Sequence, residues 1–183
     1  MEEVPSLAVA AALAGELLSP LPNRWLHTQA VAARAKQLAE AVPEKARELL
    51  LVASWWHDLG YAPQLAETGF HPLDGALHLD REGYAPRLCA LIAHHSAASF
   101  EADERGLADE LARWPREDSA VADALWTADM TTGPRGERMD YADRLDEILS
   151  RYEPDSPVAR AMTRARPAIE GAISRTRQRL AAG

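Results

Sequence analysis

The stretch LLLVASWWHDLGYAP, residues 49–63, runs apolar up to two tryptophans and then sets His57 beside Asp58. An imidazole and a carboxylate carried into a core are costly to bury unpaired, so they are expected to be paired or to hold a metal. Imidazole nitrogen with carboxylate oxygen suits Fe, Mn, Zn, Co or Ni, whereas Mg or Ca would favour an oxygen-dominated set. Neighbouring residues on a helix project about 100° apart, so the pair converges on one cation only where the helix ends. Gly60 is predicted to end it with a left-handed cap, and Pro63 prevents its resumption. His27, in RWLHTQAVAARAKQLA, stands at the border of the apolar side marked by Leu26, Ala30, Val31, Ala33 and Leu38, and so is expected to point inward.

The elements that must position these groups read as helices throughout. Ala, Leu, Glu and Arg dominate, and no stretch alternates apolar and polar residues with the Val, Ile and Thr enrichment of strands. Pro5 opens a first helix and Ser19-Pro20-Leu21-Pro22 breaks it. A second helix is expected at about 23–41, and a third, from Pro43 and Glu44, carries the His57-Asp58 pair in its last turn. Further helices are expected at about 72–82, 85–97, 103–113, 118–131, 139–152 and 157–181, between turns such as GYAP, RWPRED, TTGPRG and YEPDSP. The expectation is an all-α bundle of about 7 to 9 helices. Its last helix holds Arg160, Arg164, Arg166, Arg175, Arg177 and Arg179 against Glu170, which reads as a basic surface face.

Size and charge narrow the function. A chain of 183 residues fits one domain, read here as 1–183 with a core at about 20–150. Its net charge of -8 argues against general nucleic-acid binding, which rests on Lys and Arg neutralising phosphates. The N-terminal run VPSLAVAAALAGELL is led by Glu2 and Glu3 and interrupted by Gly15 and Glu16, so it reads as a helix, not a leader peptide. No apolar run approaches the ~18 residues of a membrane span. One cysteine, Cys89, permits no intrachain disulfide; a cytoplasmic location and a buried, inert thiol are expected. Trp55 and Trp56 read as core. Nucleophilic-serine motifs, glycine-rich phosphate loops and cysteine zinc clusters are absent.

His27, the doublet His57-Asp58 and Asp129 in ALWTADMTT resemble the H…HD…D signature of the HD superfamily of metal-dependent phosphohydrolases. Four positions in order on predicted helices are far more specific than a bare HD dipeptide. FHPLDGA, with His71, looks like a second-metal segment of several HD subfamilies, and LIAHHSA, with His94 and His95, looks like their later histidine segment. The resemblance implies a helical bundle holding one or two divalent transition metals, Fe or Mn before Zn, Co or Ni, on His27, His57, Asp58 and Asp129, with His71 and His94 or His95 at a second position and Asp58 bridging. Helical periodicity through Leu88, Leu91 and Ile92 favours His95 over His94 as the inward residue. His78 matches no family position and reads as structural.

The departures bear on substrate. The segment HHSAASFEADERG lacks the signature of cyclic-di-GMP phosphodiesterases, and Gly60-Tyr61 stands where many nucleotide-cleaving relatives carry a lysine. Arg24, Lys36, Arg135 and Arg138 are the alternative cations for a substrate phosphate. The leading expectation is a hydrolase that cleaves a small phosphorylated compound, a nucleotide above others, with metal-activated water and with His57 and Asp58 at the catalytic centre. Two alternatives share the ligand pattern: a di-iron oxygenase cleaving a C–C or C–P bond, and a non-catalytic ligand-sensing module. Oligomeric state is not legible.

Overall fold

Proline and serine set where several helices begin. In the computed structural model, which describes residues 4–182, the helices are α1 (Leu7–Leu18), α2 (Pro22–Leu38), α3 (Arg47–Trp56), α4 (His71–Arg81), α5 (Pro86–Ala93), α6 (Ala98–Arg105), α7 (Ala108–Leu111), α8 (Ala120–Met130), α9 (Tyr141–Ser150) and α10 (Pro157–Ala182). Ser6 caps α1 and Ser119 caps α8, each hydroxyl accepting from a backbone N–H of the first turn. α2, α4, α5 and α10 carry proline in their first turn, where a missing N–H loses no helical bond. The described residues contain no strand beyond an isolated bridge between Thr132 and Arg138, so the class is all-α, as expected. Glu2 and Glu3 lie outside the described residues.

The bundle is organised around α8, whose residues from Val121 to Met130 are all buried. It packs against α10, α3 and α2, while α1 and α2 cover α3, and α4 pairs with α5. A helix buried on every side needs neighbours on every side. Trp56 is fully buried and its Nε1 donates to the Ala10 carbonyl at 2.9 Å, tying α3 to α1. The tryptophan pair was expected in the core; Trp55 is only partly buried, against Trp25 at 5.9 Å between ring centroids.

The C-terminal helix differs from a bare basic face. Arg175 and Arg179 clasp the buried Asp123 of α8, Arg160 and Arg164 meet Glu104 of α6, and Arg166 pairs with Glu170 one turn on. The first four guanidiniums fasten α10 to α8 and α6, and the buried Asp123 has its lone pairs met, as a buried carboxylate requires, whereas the Arg166 pair lies within α10. No helix among the described residues is long and apolar enough to cross a membrane.

Three expected boundaries move. The predicted helix 103–113 becomes α6 and α7, parted by Gly106 at φ 70°. The predicted helix 85–97 ends at Ala93, and Ser96 and Ala97 then adopt φ 48° and 60°. Helix α3 ends at Trp56, and Gly60 is not a left-handed cap. It lies in a 3₁₀ turn, Leu59–Tyr61, where a Cβ would fall 2.0 Å from the His71 carbonyl oxygen and 2.7 Å from the Gly75 nitrogen. Gly60 is required for contact between this turn and α4, not for its φ. Its replacement by alanine should destabilise the fold by about 1–3 kcal/mol or more, read by urea unfolding.

Cys89 is fully buried, and burial pushes its thiol pKa up to about 11. A thiol reagent at pH 8 should therefore leave the native protein unlabelled and titrate one thiol per chain after denaturation.

Candidate metal centre

Helices α2, α3, α4 and α8 and the turns after α3 and α5 deliver six side chains to one centre. His27 projects from the second turn of α2 and is fully buried, as is His57 at the end of α3. The His27 and His57 Nε2 atoms and an Asp129 oxygen lie within 4.8 Å of one another, as do ligand atoms of Asp58, His71 and His95. Asp58 connects the two groups. Its Oδ2 is 3.2 Å from His57 Nε2 and 3.7 Å from His27 Nε2, while its Oδ1 is 3.4 Å from His71 Nε2 and 3.9 Å from His95 Nε2.

Backbone carbonyls orient the imidazoles. Nδ1 of His27 donates to Gly133 O at 2.9 Å, that of His57 to Ser54 O at 2.8 Å, and that of His95 to Ile92 O at 2.7 Å. Each bond places the ring proton on Nδ1 and leaves the Nε2 lone pair toward the centre, the arrangement metal-binding histidines require. His71 is held instead by its ring, stacked 3.9 Å from Tyr61. Asp74 orders the segment before it, accepting from Thr68 N at 2.9 Å, Thr68 Oγ1 at 2.7 Å and Gly69 N at 3.1 Å.

Two consecutive left-handed residues, Ser96 and Ala97, turn the chain after His95, at a cost of roughly 1–3 kcal/mol each for non-glycine residues. The turn brings Ser96 Oγ to donate to Asp129 Oδ2 at 2.5 Å, while Asp129 Oδ1 faces His27 Nε2 at 3.0 Å. One oxygen of Asp129 is thereby held from behind and the other is presented to the histidines.

Charge distribution favours a cation. Burial opposes ionisation of Asp58, but Arg24 and His57 outweigh it and hold the carboxyl well below its usual range. For Asp129 burial is likewise outweighed, by His27 and His57. Burial drives His71 well below its ordinary value against the pull of Asp58, and lowers His95, with His57 adding to the effect. Both therefore favour the neutral form, and their Nε2 atoms face each other at 3.2 Å, where a bound cation would take both lone pairs. Burial also disfavours the charged form of His57, yet the Asp58 and Asp129 carboxylates raise its pKa overall. A cation between these groups would supply the positive charge that this proton otherwise brings.

The donor set fits a metal. His57 Nε2 is buried and makes no well-formed hydrogen bond, although Asp58 Oδ2 stands 3.2 Å from it. Ligand atoms about 2 Å from a metal stand roughly 3 to 4 Å apart, and Asp129 Oδ1 lies 3.0 and 3.9 Å from His27 and His57 Nε2, while Asp58 Oδ1, His71 Nε2 and His95 Nε2 lie 3.2 to 3.9 Å from one another. The mixed nitrogen and oxygen donors suit divalent transition metals.

Of the residues singled out in the sequence, His27, His57, Asp58, His71, His95 and Asp129 come together, and Arg24 joins them with Nη1 2.5 Å from Asp58 Oδ2 and its guanidinium 3.8 Å over Tyr61. His94 does not. It ends α5 with Nε2 bonded to the Trp114 carbonyl at 2.7 Å, because the change of direction between His94 and Ser96 sends the two rings apart. Lys36 is exposed and lies nine residues beyond His27, about 13 Å along α2. Arg135 and Arg138 are also exposed, on the turn whose Gly133 carbonyl faces His27; its backbone, not its arginines, meets the site. None of these three lines the cleft.

That cleft, about 280 Å³, has Asp58, His71, His95 and Asp129 in its lining and adds Arg105, Arg144 and Arg151, which sequence reasoning missed. No periodicity points to them, because their place depends on how α6 and α9 pack. Ser96 and Asp74 were equally unforeseen, although an acidic residue in the first turn of α4 was a readable helix-start signal.

These features define a class: an all-α domain with a buried histidine and aspartate centre suited to divalent metal ions. The family model of the HD domain matches residues 24–148, and the chain belongs to that family, a superfamily of metal-dependent phosphohydrolases. No curated protein and no solved structure matches it.

Replacing Ser96 with alanine should weaken metal binding about 10–100-fold by freeing Asp129, whereas His94→Ala should leave metal content unchanged. Elemental analysis after dialysis against graded chelator separates the two outcomes.

Proposed function

We propose that the protein is a binuclear metal-dependent phosphohydrolase that cleaves an ester or anhydride of a small phosphorylated compound, a nucleotide above others. The observation that supports this reading best is the orientation of Asp58, which turns one oxygen to His27 and His57 and the other to His71 and His95. A carboxylate so placed can serve two metals at once, with His27, His57 and Asp129 holding one and His71 and His95 the other. When bound, Fe, Mn or a similar divalent ion supplies Lewis-acid polarisation of phosphoryl oxygen and lowers the pKa of a coordinated water.

The chain's own residues do the rest. The backbone bonds to His27, His57 and His95 hold the imidazoles in one tautomer, so little reorganisation accompanies reaction. Arg24, in the cleft beside Asp58 and backed by the Tyr61 ring, is the cation placed to receive a phosphate oxygen. It thus replaces the lysine that many nucleotide-cleaving relatives carry after the doublet. The proposed substrate is mononucleotide-sized or smaller, since about 280 Å³ lies just below the roughly 300–1,000 Å³ of small-molecule sites. The proposed setting is the cytoplasm, with no membrane or general nucleic-acid partner.

Metal analysis and phosphate release test this together. Wild type should hold two metals per chain, His71→Ala and His95→Ala one, and Asp58→Ala fewer than one, with hydrolysis lost in each. Arg24→Gln should keep both metals and lose about 100-fold or more in kcat/KM, the scale of removing one charge-stabilising donor. One metal in wild type, unchanged in His71→Ala, rejects the binuclear site. Oxygen uptake by iron-loaded protein without phosphate release rejects hydrolysis in favour of an oxygenase.

A further inference from the structure

The cleft contains a cation that the metal centre does not use. Arg144, on the second turn of α9, is only 5% exposed and lines the cleft. Its Nε is buried with no hydrogen-bond partner among the described residues. Its Nη1 meets Glu147, but that carboxylate is shared: Glu147 Oε1 also lies 2.9 Å from Arg151 Nε. Two guanidiniums therefore divide one carboxylate, which leaves a net positive charge beside the cleft. Glu137 senses the charge of Arg144, but it is exposed and accepts from the Arg135 backbone N–H at 2.9 Å. Of the other side chains lining the cleft, Met130, Ile148, Val158 and Met162 are apolar, and the carboxylates are engaged elsewhere, Glu101 with Arg105 at 2.7 Å and Asp58 and Asp129 among the histidines.

A buried guanidinium with an unused donor and a half-shared counter-ion is expected to find an acceptor, and an anionic one for preference. The apolar neighbours raise its attraction by keeping the local dielectric low. We propose that Arg144 is a specificity-determining residue that binds a second anionic group, a carboxylate or further phosphate, on the part of the substrate remote from the scissile phosphoryl group. The substrate class becomes a small organophosphate with two separated anionic groups and an apolar or planar body between them. This rests on the phosphohydrolase reading for the placement of the first group. Arg24 and Arg144 then differ in role: the former lies against the reacting centre, the latter selects which molecule reaches it.

Equilibrium binding tests the assignment without turnover. Phosphonoacetate, 3-phosphonopropionate and 4-phosphonobutyrate are titrated calorimetrically into metal-loaded protein, each beside the alkylphosphonate of equal chain length. Wild type should bind at least one carboxylated probe tenfold or more tighter than its partner. Arg144→Gln should abolish that preference while changing alkylphosphonate affinity by no more than about twofold. Arg144→Lys, which keeps the charge but not the fork, should retain part of it and guards against a Gln variant that fails to fold. The absence of any preference in wild type, or equal weakening of both probe types in the variants, overturns the inference. A preserved preference in a protein that releases phosphate from no ester overturns the hydrolase reading and leaves the Arg144 subsite standing.

Discussion

Two carboxylates buried among histidines impose the main constraint on this structure. Asp58 and Asp129 lie in the interior, where an ionised group is stable only if positive charge and hydrogen bonds surround it. Four inward-facing imidazoles, one guanidinium and one serine hydroxyl meet that demand. Each in turn needs a fixed backbone: α2 for Arg24 and His27, the end of α3 for His57, the start of α4 for His71, and the left-handed turn for His95 and Ser96. The all-buried α8 exists to carry Asp129 into this setting, with its own Asp123 clasped from α10 so that no charge on the helix is left unmet.

Local strain and close approach gather at the same place. Ser96 and Ala97 adopt a backbone region that disfavours side chains, and Gly60 lets the turn after Asp58 touch the backbone of α4. Both features shorten the distance between the elements that bear the histidines and aspartates of the centre. Were Gly60 larger, the turn bearing Asp58 and the helix bearing His71 would separate, and the carboxylate could not face both histidine groups. Stability is surrendered at these points for a geometry in which donor atoms already stand at coordination spacing.

Much of the centre was legible in the sequence because its residues occupy types and positions that packing does not easily explain. His57-Asp58 at the end of an apolar run and His27 on α2 read as inward groups and are buried, although Leu26 and Ala33, on the expected apolar side of α2, are exposed and the buried face runs through His27, Val31, Ala35 and Leu38; His71 was marked by resemblance alone. His95 was favoured over His94 by helical periodicity, and it is the residue brought in. The reason differs from the one that favoured it, since the helix stops at Ala93 and an unforeseen turn sets the direction of both rings. Gly60 was likewise noticed for a cap and serves as a contact.

Lys36, Arg135 and Arg138 show the boundary most clearly. Sequence proximity to a ligand suggested a role for each, but a helix carries a residue nine positions on far from the site, and a turn can meet the site with its carbonyl while its side chains face solvent. Arg105, Arg144 and Arg151, distant from every motif, line the cleft instead. The sequence by itself determined the helical class and pointed His27 and the His57-Asp58 pair inward, because hydrophobic periodicity and the cost of burying charge act along the chain; His71, Asp129 and the His94-His95 segment were marked by their resemblance to segments of the HD superfamily, with periodicity favouring His95. Only the tertiary structure decided which oxygen of Asp58 faces which histidines, and which arginines border the cleft. Those relations depend on packing angles between helices far apart in sequence, and no local pattern encodes them.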